Sequence, residues 1–175
     1  MQKNSIFISL VAATILLSAF TMRTATSWKI AEDYNIAFSS KDPSGVFTKM
    51  DGTIVFDEND LSAASFNVRV HVNSINTGNG MQNKHAKSDK WLDAEKYPYI
   101  QFESRTFSKT GSGYLVKGTM TLHGVSRDFE IPFTFKDKTF TGSITVNRND
   151  FKIGSPGGSA SEELTVDIRV PVTLN

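Results

Sequence analysis

The chain has 175 residues, with 19 Lys and Arg against 18 Asp and Glu, for a formal net charge of +1. Such a balance lacks the electrostatic footprint of a protein whose main partner is nucleic acid or an anionic membrane surface. There is no cysteine, which rules out disulfides, thiolate metal sites and lipoprotein anchoring, and leaves packing and strand pairing to hold the fold.

From the N-terminus, Lys3 is followed by an apolar run from Ile6 to Phe20 and then by a short polar stretch. Residues 1–27 read as a secretory signal peptide, which implies a periplasmic or secreted protein. The run is about 15 residues, short of the roughly 20 that span a bilayer, so no integral membrane anchor is expected after processing. Ala25 and Ser27 are the small residues suited to a cut before Trp28, with a cut after Thr21 as the alternative. The remaining segment, residues 28–175, is long enough to bury one real core and reads as one domain.

From Trp28 onward the apolar residues recur at every second position. Phe66, Val68, Val70 and Val72 alternate with Asn67, Arg69, His71 and Asn73; Phe129, Ile131, Phe133 and Phe135 do the same, as do Leu164, Val166, Ile168, Val170 and Val172. Period 2 gives each strand one dry and one wet face. The spacing predicts eight strands, at about 28–39, 45–57, 63–75, 98–108, 113–122, 125–136, 139–147 and 163–174. Asp42-Pro43-Ser44-Gly45, Asp57-Glu58-Asn59-Asp60, Gly111-Ser112-Gly113, His123-Gly124 and Asp137-Lys138 supply the turns. Short connections favour an antiparallel meander, and a chain of such strands must close a barrel or stack a sandwich.

Period 2 stops between Asn76 and Tyr97. Met81, His85, Lys87, Ser88, Asp89, Trp91 and Leu92 predict one or two short helices there, with Ser88 as N-cap of the second and Pro98 as the stop. The insertion carries a Trp and a Leu and is expected to cover one end of the barrel. The loop Gly154-Ser155-Pro156-Gly157-Gly158-Ser159 feeds a strand rather than a helix, so it reads as a flexible hairpin loop at the barrel mouth and not as a phosphate cradle.

Catalytic signatures are weak. His71, His85 and His123 include no pair at the short spacing of zinc ligands. His123 reads as making a local turn contact and His71 as solvated on a polar strand face. His85 alone lies in the irregular insertion. No nucleophile elbow is present. Glu162 and Glu163 point to opposite strand faces, and Asp89 and Asp93, four apart on a short helix, would repel one another. The 13 Phe residues speak more strongly, because many fall on dry registers and an eight-stranded barrel can be filled by side chains or hold one small ligand. Periodicity alone leaves both readings open.

Several segments, in order and spacing, resemble one family. They are Gly52-Thr53-Ile54-Val55-Phe56-Asp57, Val72-Asn73-Ser74-Ile75-Asn76-Thr77, His85-Ala86-Lys87-Ser88, and Trp91-Leu92-Asp93-Ala94-Glu95-Lys96-Tyr97-Pro98-Tyr99-Ile100-Gln101-Phe102. Further on come Val116-Lys117-Gly118-Thr119-Met120-Thr121-Leu122-His123-Gly124-Val125 and Val146-Asn147-Arg148-Asn149-Asp150-Phe151. Together they resemble the YceI-like polyisoprenoid-binding proteins. The resemblance implies an all-β fold, an extended lipocalin-like eight-stranded antiparallel β-barrel with a short helical insertion, whose interior holds a long isoprenoid. Many members carry an Arg-Asp pair before the histidine, where this chain has Gln82-Asn83-Lys84.

On that reading the protein is a non-enzymatic binder or carrier of a long-chain isoprenoid or a similar lipid. Phe38, Phe56, Phe66, Val70, Phe102 and Met120 are expected to line the interior, together with Leu122, Phe129, Phe133, Ile144, Val166 and Ile168. Trp91 and Leu92 belong to one mouth, and Lys84, His85, Lys87 and Arg148 are candidates to hold a phosphate or carbonyl head group, with ordinary surface charge as the bland reading of each. No cofactor is expected apart from a bound isoprenoid or quinone-like lipid. No nucleic-acid partner is expected, and a homodimer stays open. The alternatives are a secreted interaction or stress protein with a packed barrel, and a lipid-modifying enzyme using His85 with Asp89 or Asp93.

Overall fold

The computed structural model describes residues 26–158 and 160–175. The predicted signal peptide lies outside the described residues except for its last two positions. In chain order the elements are β1 (Ser27–Ile30), β2 (Asn35–Ser39), β3 (Gly45–Phe47), β4 (Met50–Val55), β5 (Ser65–His71), β6 (Ile75–Asn76), α1 (Gly80–Ala86), β7 (Tyr99–Thr110), β8 (Gly113–Leu122), β9 (Val125–Lys136), β10 (Thr139–Asn147) and β11 (Glu163–Leu174). They form one antiparallel sheet in the order β1-β4-β5-β7-β8-β9-β10-β11-β2-β3-β6, closed by pairing of β1 with β11.

The pairs β1/β2, β3/β4 and β5/β6 each act as one interrupted strand. β1 and β2 lie end to end along the same edge of β11, Trp28 opposite Leu174 and Asn35 opposite Arg169. With these three composites the molecule is the expected eight-stranded meander. Two of the interruptions meet at Tyr34, whose hydroxyl donates to the Thr48 carbonyl at 3.0 Å and accepts from the Met50 amide at 2.8 Å. It stitches the break between β1 and β2 to the break between β3 and β4. The third interruption is a 3-10 turn at Val72–Ser74.

β7 and β8 change register around Arg105. A Cβ on Gly118, facing this bulge, would lie 2.3 Å from the Glu103 carbonyl oxygen and 2.7 Å from the Phe102 ring, so only glycine fits. His123 (φ 52°) with Gly124 (φ 72°), and Asp137 (φ 50°) with Lys138 (φ 56°), turn the next two hairpins in the double positive-φ geometry that matches strand twist.

β9 and β10 pair only from Lys136–Thr139 to Phe133–Gly142, whereas β8 pairs with β9 to the end and β10 with β11 over its full length. Beyond Gly142 the two strands part and leave a slot in the wall. His123 Nδ1 donates to the Phe151 carbonyl at 3.1 Å and ties the far side of the slot. This bond is long-range, not the local turn contact expected of His123.

One end of the barrel is closed by aromatic side chains. Phe56 is fully buried, with ring centroids of Tyr114, Phe133, Phe135 and Phe140 at 5.1–5.5 Å, mostly edge-to-face. Burial, and then its bond to Glu58, pushes the Tyr114 phenol up to about 12.

Of the one or two short helices expected in the insertion, one forms. This is α1, capped by Asn79, whose Oδ1 accepts from the Met81 and Gln82 amides at 2.9 and 3.2 Å. Ser88 caps no second helix; its hydroxyl donates to the His85 carbonyl and helps to end α1, and residues 88–97 are turns. Asp93 has φ 46°, so Asp89 and Asp93 do not share a helix.

Candidate functional site

Between the aromatic floor and α1 the barrel encloses a cavity of about 570 Å³. The dry registers of nearly every strand line it. Phe38, Phe66, Val70, Phe102, Met120, Leu122, Phe133, Ile144, Val166 and Ile168 are all on its wall, with Trp91, Leu92 and His85 beside them from the insertion. Ile36, Ile54, Val68, Val146 and Val170 line it too, and were legible as members of the same alternating runs. Several inward residues, among them Val68, Val70, Val166 and Ile168, are only half-buried, because the space they face is empty of protein.

Two expected lining residues and two head-group candidates sit elsewhere. Phe56 lies past the end of β4, inside the floor and below the cavity. Phe129 lies at the slot between β9 and β10, beside Asp128, Glu130, Pro132, Ser143, Ile144 and Thr145. Lys84 is exposed on α1 and off the wall, and Lys87, half-buried after the helix, is off it as well.

Arg148 touches the cavity but has nothing to offer a head group. It is 4% exposed, and its five N–H donors meet five oxygens: Nε the Ser161 carbonyl at 3.0 Å, Nη1 the Ile153 carbonyl at 2.7 Å and Asn149 Oδ1 at 3.2 Å, Nη2 the Ser155 and Ala160 carbonyls at 3.1 and 3.3 Å. Arginine has no further donor. Its guanidinium lies 5.7 Å from the Trp91 ring centre. The glycine-rich loop thus wraps a cation instead of cradling an anion, and together with Trp91 forms one side of the mouth.

On the other side Asn83 Oδ1 accepts from both the amide and the hydroxyl of Thr77 at 2.8 Å, tying α1 to the end of β6. This chain thus uses Asn83 to fix the insertion to the sheet. The Trp91 indole donates to His85 Nε2.

His71, expected to be solvated, is half-buried and bonded to Asp51, which also pairs with Arg69. The His71 bond, ahead of Arg69, holds the Asp51 carboxyl below its usual range. Asp51, Arg69 and His71 lie on the outer face, off the cavity wall. Among the described residues no group of three or more His, Asp or Glu side chains converges as a metal site. No described helix is long and apolar enough to cross a membrane.

A closed antiparallel barrel with an apolar interior and a helix across one end defines a class, that of small barrels built around an internal ligand space. Residues 13–172 match the YceI-like domain family, and the chain belongs to it. A UPF0312 protein of Pseudomonas savastanoi pv. phaseolicola is 36% identical over 135 residues, covering 71% of this chain and 70% of that protein. Among solved structures, BcnA of Burkholderia cenocepacia superposes with a TM-score of 0.76 at 23% identity, over 83% of this chain and 99% of that one. A polyisoprenoid-binding domain from Saccharophagus degradans, implicated in plant cell wall breakdown, superposes with a TM-score of 0.55 at 16% identity, over 86% of this chain and 96% of that one.

Proposed function

We propose that the protein is a non-enzymatic binding protein that holds a polyisoprenoid, or a similar apolar lipid such as a quinone precursor or fatty amide, inside its barrel, and carries it in the periplasm or outside the cell. The observation that carries this reading is the cavity: about 570 Å³, walled almost wholly by aliphatic and aromatic side chains. That volume falls within the range of roughly 300–1,000 Å³ typical of ligand sites. A hydrocarbon chain gains roughly 25 cal/mol per Å² buried there and asks nothing of catalytic groups. The ligand named for the Saccharophagus degradans domain supports the same chemistry. The Ile6–Phe20 run supports export. No resident cofactor is required, since the lipid is the cargo.

The direct test is mass spectrometry of an organic extract of the protein, purified without detergent from its native compartment. A stoichiometric isoprenoid or quinone is expected. Val70→Asp places a charge on the cavity wall at a half-buried position and is expected to fold yet lose the lipid; a folded Val70→Asp protein that still carries lipid normally would refute the assignment.

A further inference from the structure

One junction of the barrel wall is made without a full backbone ladder, and the sequence contains the reason. Antiparallel strands are joined by facing residues that exchange two hydrogen bonds, at every second position. Counted from the two-residue turn between β9 and β10, the first such pair is Lys136 with Thr139 and the next Thr134 with Thr141. The third would be Pro132 with Ser143. A Cβ on Gly142 would lie 2.7 Å from the Pro132 carbonyl oxygen, so the polar backbone side of Pro132 points at β10. Proline has no N–H to give there. The ladder stops at Phe133 and Gly142, and the slot begins.

This slot is a window with both ends tied, one by the Phe133–Gly142 pair and the other by the bond between His123 and the Phe151 carbonyl. At about 3.3 Å per residue, its β10 side over residues 143–147 is roughly 16 Å long. Side chains alone stand between it and the cavity. Ile144 faces both spaces, Ile131 and Val146 line the cavity, and the half-buried Phe129 lies in the slot. At the outer lip Asp128 is paired with Arg105 and Glu130 with Lys117, so the charges there are matched.

Resting on the lipid-binding reading, we infer that this window is a lateral port through which the apolar chain enters and leaves the cavity, with Phe129 as its gate. Through any fully paired junction of the wall, a passage opens only by breaking a run of backbone hydrogen bonds. Here it takes rotation of Phe129 and Ile144 about their side-chain bonds, which leaves the sheet intact. The rim beside α1 is held more firmly. Asn83 ties the helix to Thr77 through two bonds, and Arg148 gathers four carbonyls of the facing loop. A chain leaving end-on must withdraw its whole length past that rim, whereas one leaving sideways sheds its contacts a few carbons at a time.

The test loads the purified protein with all-trans-retinol, a fluorescent isoprenoid alcohol, and follows release to excess phosphatidylcholine vesicles by stopped-flow fluorescence, beside uptake kinetics and an equilibrium titration. Phe129 stands off the cavity wall, so Phe129→Ala is expected to raise uptake and release rates alike, each at least about tenfold, with Kd changed less than about threefold. Phe107→Ala removes a half-buried ring from the aromatic floor and controls for general loosening; both rates are expected to stay within about twofold. Pro132→Thr restores the missing donor. It is expected to zip 128–132 onto 143–147, raising hydrogen-exchange protection of the amides that face the slot at least about tenfold. Release is then expected to slow at least about tenfold at the same Kd. Either variant decides the matter if the other fails to fold or to zip. Release at the wild-type rate from Phe129→Ala, or from a zipped Pro132→Thr, overturns the port and leaves the slot a water-filled gap. Rates raised equally by Phe129→Ala and Phe107→Ala overturn it as well. A wild-type protein that binds neither retinol nor geranylgeraniol refutes the lipid-binding reading itself, and the inference with it.

Discussion

At Arg148 the chemistry is an account that balances. Five donors face five acceptors, four of them carbonyls of a loop that has no strand to satisfy it. Lysine keeps the charge but offers three donors from a single point, so it cannot reach oxygens spread around a planar fork. Arg148→Lys is expected to lower unfolding stability by about 2–4 kcal/mol, read from urea denaturation, with the denaturant slope unchanged. A loss under about 1 kcal/mol would show that water replaces the guanidinium and that the mouth does not depend on it. The same residue looked like a head-group partner in the sequence because a lone arginine at a strand end says nothing of the carbonyls that will converge on it.

The elements show where such reasoning holds and where it fails. The last four strands begin and end at the predicted residues, since each is bounded by tight-turn residues or a long polar loop and carries unbroken alternation. The first three are broken: alternation runs on from Ile30 to Ile36, where the break is held by a hydrogen bond from Tyr34 to a segment 14 residues away, but the inward register shifts by one between Phe47 and Met50 and between Val70 and Ile75. Likewise Phe129, Ile131, Ile144 and Val146 alternate in the same way whether β9 and β10 pair or part. The cavity wall was legible to the extent that it followed registers. Phe56 kept its register and still fell below the cavity, because height along the barrel axis is not written in a period of 2. The slot carries its own prediction. Backbone amides of 125–131 and 143–147 that face it lack the strand partner their neighbours have, so in hydrogen exchange they should be at least about 100-fold less protected than amides of the same strands facing β8 and β11. Uniform protection across both strands would mean that the slot closes in solution.

For the whole molecule, no cysteine is present and the ion pairs lie on the outside, Asp51 with Arg69 and Lys117 with Glu130 both largely exposed. Such pairs contribute about 0–1 kcal/mol. Stability rests on the core and on ring closure, in which Ile30 faces the buried Val172 and Trp28 faces Leu174, while the Trp28 indole donates to the Phe56 carbonyl at 2.8 Å. Deleting 172–175 removes this seal and a buried valine. The expected result is a loss of at least about 3 kcal/mol and a clear fall in Tm by calorimetry; a truncated chain that melts like the parent would show that closure is dispensable.

The pairing of Trp28 with Leu174 also has a meaning in time. Contacts between the two ends of a chain carry the largest loop-closure entropy, and folds governed by them form slowly. Until the final strand is in place the other seven make a curled ribbon with two bare edges, its apolar concave side open to water. A lipid cannot be enclosed by such a ribbon, so the compartment that will hold it comes into being only with the last dozen residues.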